Sequence, residues 1–228
     1  MSARGGRRGS GDHGPVPAHR RGQMKAYNRR EMTLGIVLAG GRGTRLGQDK
    51  ASFILGGRSM LDRVVDALGR AVDQVIVAKA HGQELPRVPM DVRVVEDVRP
   101  GLGPVGGLHA ALSSTDGDRA VVVGCDMPFL DPSLLTWLLA LDDPRDAVAP
   151  MLDGRTQTLH AVYRRACLPA LKTLLELGRP SLRDLLRMVD VRYLEGGELG
   201  DLERWRRSCA GVNTPEDAAR AERLLIGS

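Results

Sequence analysis

The chain's 228 residues, 24.6 kDa, suffice for one sizeable α/β domain, since a single hydrophobic core stops growing near roughly 250–300 residues. Hydrophobic residues make up 42% and charged ones 27%, and no apolar run approaches the roughly 18–20 residues of a bilayer span, which excludes a transmembrane helix. The net charge of +5 is confined to residues 1–32, where eight basic side chains face two acids; the other 196 residues carry 25 basic and 26 acidic groups, which argues against a nucleic-acid-binding core.

That first segment, rich in Gly and Pro and poor in large apolar residues, reads as a disordered basic extension without the apolar stretch of a secretory signal. It is expected to lie upstream of a functional start at Met24 or Met32, and no nucleic-acid or membrane partner is expected. Strands are predicted over 34–39, 74–78, 92–95, 120–124 and 146–150, each a short apolar run without polar alternation, as in strands buried on both faces of a parallel sheet. Helices are predicted over 59–68, 105–113 and 131–140 from apolar residues three and four apart. Ser59 is the expected N-cap of the first helix. After Pro150 come a strand over 159–163, helices over 166–177 and 180–189, and a closing helix over 215–226 capped by Thr214, with Pro215 in its first turn. The fold class is therefore α/β, a three-layer arrangement with a mostly parallel central sheet covered by helices on both faces. Cys125, Cys167 and Cys209 lie far apart and form no C-x-x-C pair, so a reducing, cytoplasmic setting is expected.

Three segments carry the chemistry. Residues 38–50, LAGGRGTRLGQDK, place four glycines in eight residues after the first strand, with Arg45 and Lys50 supplying charge. Close backbone approach and clustered N–H groups suit a phosphate chain. The loop is not a Walker A motif, because no Gly-Lys-Ser/Thr ends it, and it lacks the spacing G-x-G-x-x-G. In residues 124–130, GCDMPFL, Asp126 falls just beyond a strand's carboxyl end, where ligands of parallel sheets bind. One carboxylate there suits Mg²⁺, which is usually held by one or two carboxylates plus substrate phosphates. Cys125 reads as a small apolar neighbour rather than a nucleophile. In residues 96–107, EDVRPGLGPVGG, Asp97 could accept hydrogen bonds from a base or ribose, or be only a solvated loop residue.

Taken together the chain resembles the molybdenum cofactor guanylyltransferase (MobA) family within the Rossmann-like nucleotidyltransferases. The family signature L-A-G-G-x-S-x-R-M-G-x-D-K matches residues 38–50 except at Gly43 and Leu46. Later motifs are similar to Glu96-Asp97, residues 103–107, residues 125–130, residues 159–163 and residues 212–217, so the resemblance spans 33 to about 225. It implies one nucleotidyltransferase domain over 33–228, with 33–150 the GTP-binding half and 151–228 the molybdopterin side. The implied reaction moves GMP from GTP to molybdenum-bearing molybdopterin and releases pyrophosphate. The implied site has Leu38, Ala39, Gly40, Gly41 and Gly43 around the nucleotide, Lys50 at the α-phosphate and Arg45 on the departing pyrophosphate. Asp126 would ligate Mg²⁺, Asp97 would hold the guanosine, and Asn213 and His160 would face the pterin side. Beyond GTP and the molybdopterin cofactor, proteins that deliver the cofactor or mature molybdoenzymes are the partners it would allow.

Ala78 and Lys79 stand where the family often has an Asn for the base, and Gly211 where many members have a second Asn. CTP on molybdopterin, or another nucleotide on a sugar phosphate, remain alternatives; Gly40 favours guanine, and Asp49-Lys50 argues against a sugar phosphate. An idle nucleotide-binding or cofactor-delivery module is a further alternative, though it has no need of Asp126. Trp137 is expected on a core helix, and Trp205, in the charged run 203–207, on a surface helix.

Overall fold

The structure, a computed structural model, describes residues 32–40, 46–97, 101–178 and 181–226. The expected extension, apart from Met32, lies outside these residues, as do Gly41, Gly43 and Arg45. In chain order the elements are β1 (Leu34–Leu38), a hairpin of β2 (Ile54–Leu55) and β3 (Arg58–Ser59), α1 (Met60–Gly69), β4 (Gln74–Lys79), β5 (Arg93–Glu96), α2 (Gly103–Ser113), β6 (Arg119–Gly124), α3 (Pro132–Ala140), β7 (Ala147–Leu152), β8 (Arg155–Thr156), β9 (Ala161–Arg164), α4 (Leu168–Leu177), α5 (Leu182–Leu186), β10 (Val191–Leu194), α6 (Leu202–Cys209) and α7 (Pro215–Ile226). Among them no helix is long and apolar enough to cross a membrane.

The main sheet runs β10-β7-β9-β6-β1-β4-β5, with β8 paired to β7. All pairings along β6, β1, β4 and β5 are parallel, and so is β10 with β7; β9 runs antiparallel between β6 and β7, and the short β8 pairs antiparallel with β7. The central strands are covered on both faces, which is why they read as unbroken apolar runs. In β1, Val37 packs into one core with Val77, Val121 and Val123, under α1, α3 and α6, while Leu34, Ile36 and Leu38 pack into the other with Ile76 and Val122, under α2, α4 and α5. The two-residue period of a strand divides them in this way.

Helix α1 shows how local signals set an element. Ser59 caps it by accepting from the Asp62 N–H, and Leu61, Val64, Val65 and Leu68 form a buried stripe. Each such side chain contributes about 1.5–3 kcal/mol when removed from water. Four differences from the sequence expectations have physical causes. Strand β10 was not predicted, because Val191–Leu194 mixes Arg192 and an exposed Tyr193 into a short edge strand. Strand β5 is an edge and largely exposed rather than covered on both faces. Trp205 lies on α6 but is fully buried, because Trp205 and Ser208, three residues apart, turn the same way while the arginines stay in water. Trp137 does lie on α3, yet it is 36% exposed and meets Trp205 edge-on at 5.8 Å.

The approach of α1 to β1 depends on Gly35. A Cβ there would fall 2.6–2.8 Å from three atoms of Leu68. Gly35→Val is therefore expected to cost about 1–3 kcal/mol through overpacking. The loss should shrink in a Leu68→Ala background, which returns the volume. Urea denaturation of the four proteins in this cycle measures both effects; additive losses would show that the two positions do not share that space.

Candidate active site

The parallel register aligns the carboxyl ends of four strands. Leu38 pairs with Ala78 on one side and Gly124 on the other, and Lys79 pairs with Glu96. The residues that follow, Ala39-Gly40, Ala80, Asp97 and Cys125-Asp126, therefore emerge along one edge of the sheet, the usual ligand crevice of such folds.

Asp126 meets two residues far from it in sequence. The Lys50 ammonium donates to Asp126 Oδ2 at 2.8 Å and also to Asn213 Oδ1. The Lys50 and Asp126 side chains are only 20% and 18% exposed, so each charge is largely withdrawn from water and needs its partner. Backbone bonds hold the geometry: Val212 N–H donates to the Asp126 carbonyl at 2.8 Å, and Cys125 N–H to the Leu38 carbonyl at 3.2 Å. Asn213 is set by the start of α7, where Thr214 Oγ1 accepts from Asp217 N–H while Asp217 Oδ2 accepts from the Asn213 and Thr214 N–H groups, each at 3.1 Å. Two glycines leave room around the cluster. A Cβ at Gly124 would lie 2.6 Å from Asp126 Oδ1, and one at Gly211 2.9 Å from Asn213 Nδ2. Gly211 thus belongs to this arrangement: a second asparagine there would displace Asn213.

Beside the cluster lies a cavity of about 390 Å³, lined by Leu38, Gly40, Ala78, Lys79, Ala80, Asp97 and the first turn of α2. Asp97 is 5% exposed, so it is not a solvated loop residue. Its carboxylate lies over α2, where a Cβ at Gly106 would come within 2.0 Å of Oδ2. A carboxylate is favoured beside a helix N-terminus, and α2 has no side-chain cap of its own. Lys79, at the position where the resemblance looks for an asparagine, is engaged elsewhere, donating to Glu96 Oε2 at 2.9 Å and to the Gln83 carbonyl at 3.1 Å.

The structure thus brings Leu38, Ala39, Gly40, Lys50, Asp97, Asp126 and Asn213 to one edge, and it does not bring His160 there. His160 is fully buried, stacked edge-on against Trp205 at 5.5 Å with its Nε2 3.4 Å from Ser208 Oγ. Burial lowers its pKa to about 4, and among the described residues its Nδ1 has no hydrogen-bond partner. It packs in the core rather than facing an acceptor. Cys125 is buried with its thiol pKa pushed up, chiefly by that burial, which suits packing and not nucleophilic attack. Sequence reasoning missed Gln83, whose amide joins three of the segments just described. A polar residue in an irregular loop carries no periodicity that could reveal it.

The fit to Mg²⁺ can be judged from the donors present. Among the described residues no group of three or more His, Cys, Asp or Glu side chains gathers as a metal cage. Asp126 nevertheless offers hard oxygens at the crevice, and with Asn213 it already holds a cation, the Lys50 ammonium. That donor set suits an ion held by one carboxylate, water and substrate phosphates.

Residues 35–195 match the family model of the MobA-like NTP transferase domain. A relative from Pelotomaculum thermopropionicum, named a probable molybdenum cofactor guanylyltransferase, is 34% identical over 194 residues, covering 85% of this chain and 94% of that protein. A relative of the same name from Methanosarcina mazei is 31% identical over 200 residues, covering 83% and 89%. The crystal structure of molybdopterin-guanine dinucleotide biosynthesis protein A from Archaeoglobus fulgidus superposes with a TM-score of 0.73 at 25% identity, covering 86% of this chain and all of that one.

The burial of His160 has a measurable consequence. With a folded pKa near 4 and an ordinary value of 6.5, the unfolded chain binds a proton that the folded one refuses between those values. Stability from this residue is therefore complete above about pH 6.5 and falls as the pH drops toward 4. His160→Leu should flatten this part of the pH profile of urea midpoints between pH 7 and 5; an unchanged slope would show that the residue is protonated in place.

Proposed function

The chain belongs to the MobA-like NTP transferase family and is a nucleotidyltransferase; from that premise we propose that it transfers GMP from GTP to the terminal phosphate of molybdenum-bearing molybdopterin, forming the guanine dinucleotide cofactor and pyrophosphate. The observation that carries the reading is the convergence of Lys50, Asp126 and Asn213 beside the cavity lined by Gly40 and Asp97. An idle binding module would need the cavity but not a charged cluster adjoining it.

In this reaction a phosphate oxygen of the pterin attacks the α-phosphorus of GTP, a new P–O bond forms, and the bond to the β-phosphate oxygen breaks with pyrophosphate leaving. Little covalent work falls to the protein, so its task is to align and to neutralise. The nucleoside occupies the cavity, with Asp97 accepting from the ribose or base and the backbone around Gly40, Gly41 and Gly43 approaching the triphosphate. Lys50 turns its ammonium to the α-phosphate, where charge grows as the leaving group departs, and Arg45 holds the pyrophosphate. Asp126 is the residue that would hold Mg²⁺, which supplies charge withdrawal from the phosphate oxygens when bound. Asn213, from the opposite end of the chain, faces the incoming pterin phosphate. The domain division follows the same line, with residues 33–150 on the GTP side and 151–228 on the molybdopterin side.

Pyrophosphate release by the purified chain, with Mg²⁺, tests the proposal. Release should require GTP and molybdenum-loaded molybdopterin together. CTP in place of GTP would move the base specificity, sugar 1-phosphates as acceptors would move the substrate class, and no release with any pair would restore the idle-module reading. Asp126→Ala should lower turnover by about two orders of magnitude or more in a protein that still unfolds cooperatively, though at a lower urea midpoint because Lys50 loses its partner; full activity in that variant would reject its role.

A further inference from the structure

Gln83 lies in the loop after β4 and is half-buried. Its side-chain amide makes three hydrogen bonds to three separate segments. Oε1 accepts from Ala80 N–H at 2.9 Å, and Nε2 donates to the Ala39 carbonyl at 3.0 Å and to Asp49 Oδ2 at 2.7 Å. Ala80 lines the cavity, Ala39 begins the glycine loop, and Asp49 immediately precedes Lys50. The other Asp49 oxygen accepts from Ala51 N–H at 2.8 Å, so this carboxylate braces the turn that carries Lys50 on both sides.

The chemistry of these partners selects an amide. One side must present an acceptor to an N–H, and the other must present two donors, to a carbonyl and to a carboxylate; only Asn or Gln does both, and the three spans need the longer of the two. Glutamate has the same shape, but it would set a second carboxylate against Asp49 and an oxygen against the Ala39 carbonyl. Because Lys50 has to hold its ammonium at a fixed point, the turn beneath it has to be fixed first.

We propose that Gln83 is a positioning residue for Lys50, fastening the Asp49-Lys50 turn to the first strand's end and to the cavity wall. The Gln83 amide thereby couples the nucleoside side of the crevice to the lysine that meets the phosphates. The kinetic part of this inference rests on the reaction proposed above; the geometric part does not.

The test uses the full chain in two independent readouts. The first is the rate at which Lys50 is methylated by formaldehyde with an amine-borane reductant, followed by peptide mass spectrometry without nucleotide. Gln83→Glu and Gln83→Leu should each raise that rate several-fold over wild type, at unfolding midpoints that leave the protein folded. The double variant Asp49→Asn/Gln83→Glu, which restores a donor–acceptor pair with its polarity reversed, should return part of the protection. The second readout is steady-state pyrophosphate release, in which Gln83→Glu should lower kcat by about tenfold or more with a smaller change in the GTP KM. A folded Gln83→Glu and Gln83→Leu with wild-type Lys50 labelling would overturn the inference, as would a double variant no better protected than Gln83→Glu. Altered labelling in a protein that releases no pyrophosphate with GTP would support the positioning role and overturn the proposed reaction instead.

Discussion

A half-buried ammonium sets the terms for this site. Lys50 has left most of its hydration behind and is held by Asp126 and Asn213, 76 and 163 residues further along the chain. An exposed pair of this kind would contribute about 0–1 kcal/mol, whereas removing one partner of a pair withdrawn from water leaves a charge that the surroundings cannot solvate. Three distant segments must therefore arrive together. The sheet delivers two of them, Lys50 from the loop after β1 and Asp126 from the end of β6, the strand paired directly to β1. The cap of α7 delivers the third.

The same constraint explains residues whose side chains are absent. Gly124 and Gly211 keep the space beside Asp126 and Asn213 free, and Gly106 does so for Asp97. These glycines are required for close approach rather than for unusual backbone angles. A site of this kind is built as much by what is left out around a carboxylate as by the carboxylate itself, and a substitution at Gly211 would reach Lys50 through Asn213.

Much of the fold was legible in the sequence because its central strands are buried on both faces and its helices carry strong apolar stripes. β1, β4 and β6 were readable for that reason, and Ser59 and Thr214 were readable as caps because their partners lie three residues away. Features decided at long range were not. The run 203–207 looks charged along its length, yet helical geometry turns Trp205 inward beneath His160, and no local count of charges reveals that. His160 sits in a motif that suggests an acceptor site, but its backbone, at φ 75°, directs the ring into the core. Lys50, Asp97, Asp126 and Asn213 were each nominated from motifs, while their meeting point, and the Gln83 amide behind it, required the fold.

In the proposed reaction the Lys50 ammonium, held ready by Asp126 and Asn213, serves the transfer of a nucleotide at its α-phosphorus. The most direct measurement is transfer of label from GTP marked at the α-phosphate to molybdenum-loaded molybdopterin, by the wild-type chain and by Lys50→Met. The label should enter the pterin product with wild type, and Lys50→Met, still folded, should lose about two orders of magnitude in rate. Equal transfer by a folded Lys50→Met, or label that stays with the nucleotide while the terminal phosphate moves instead, would contradict it.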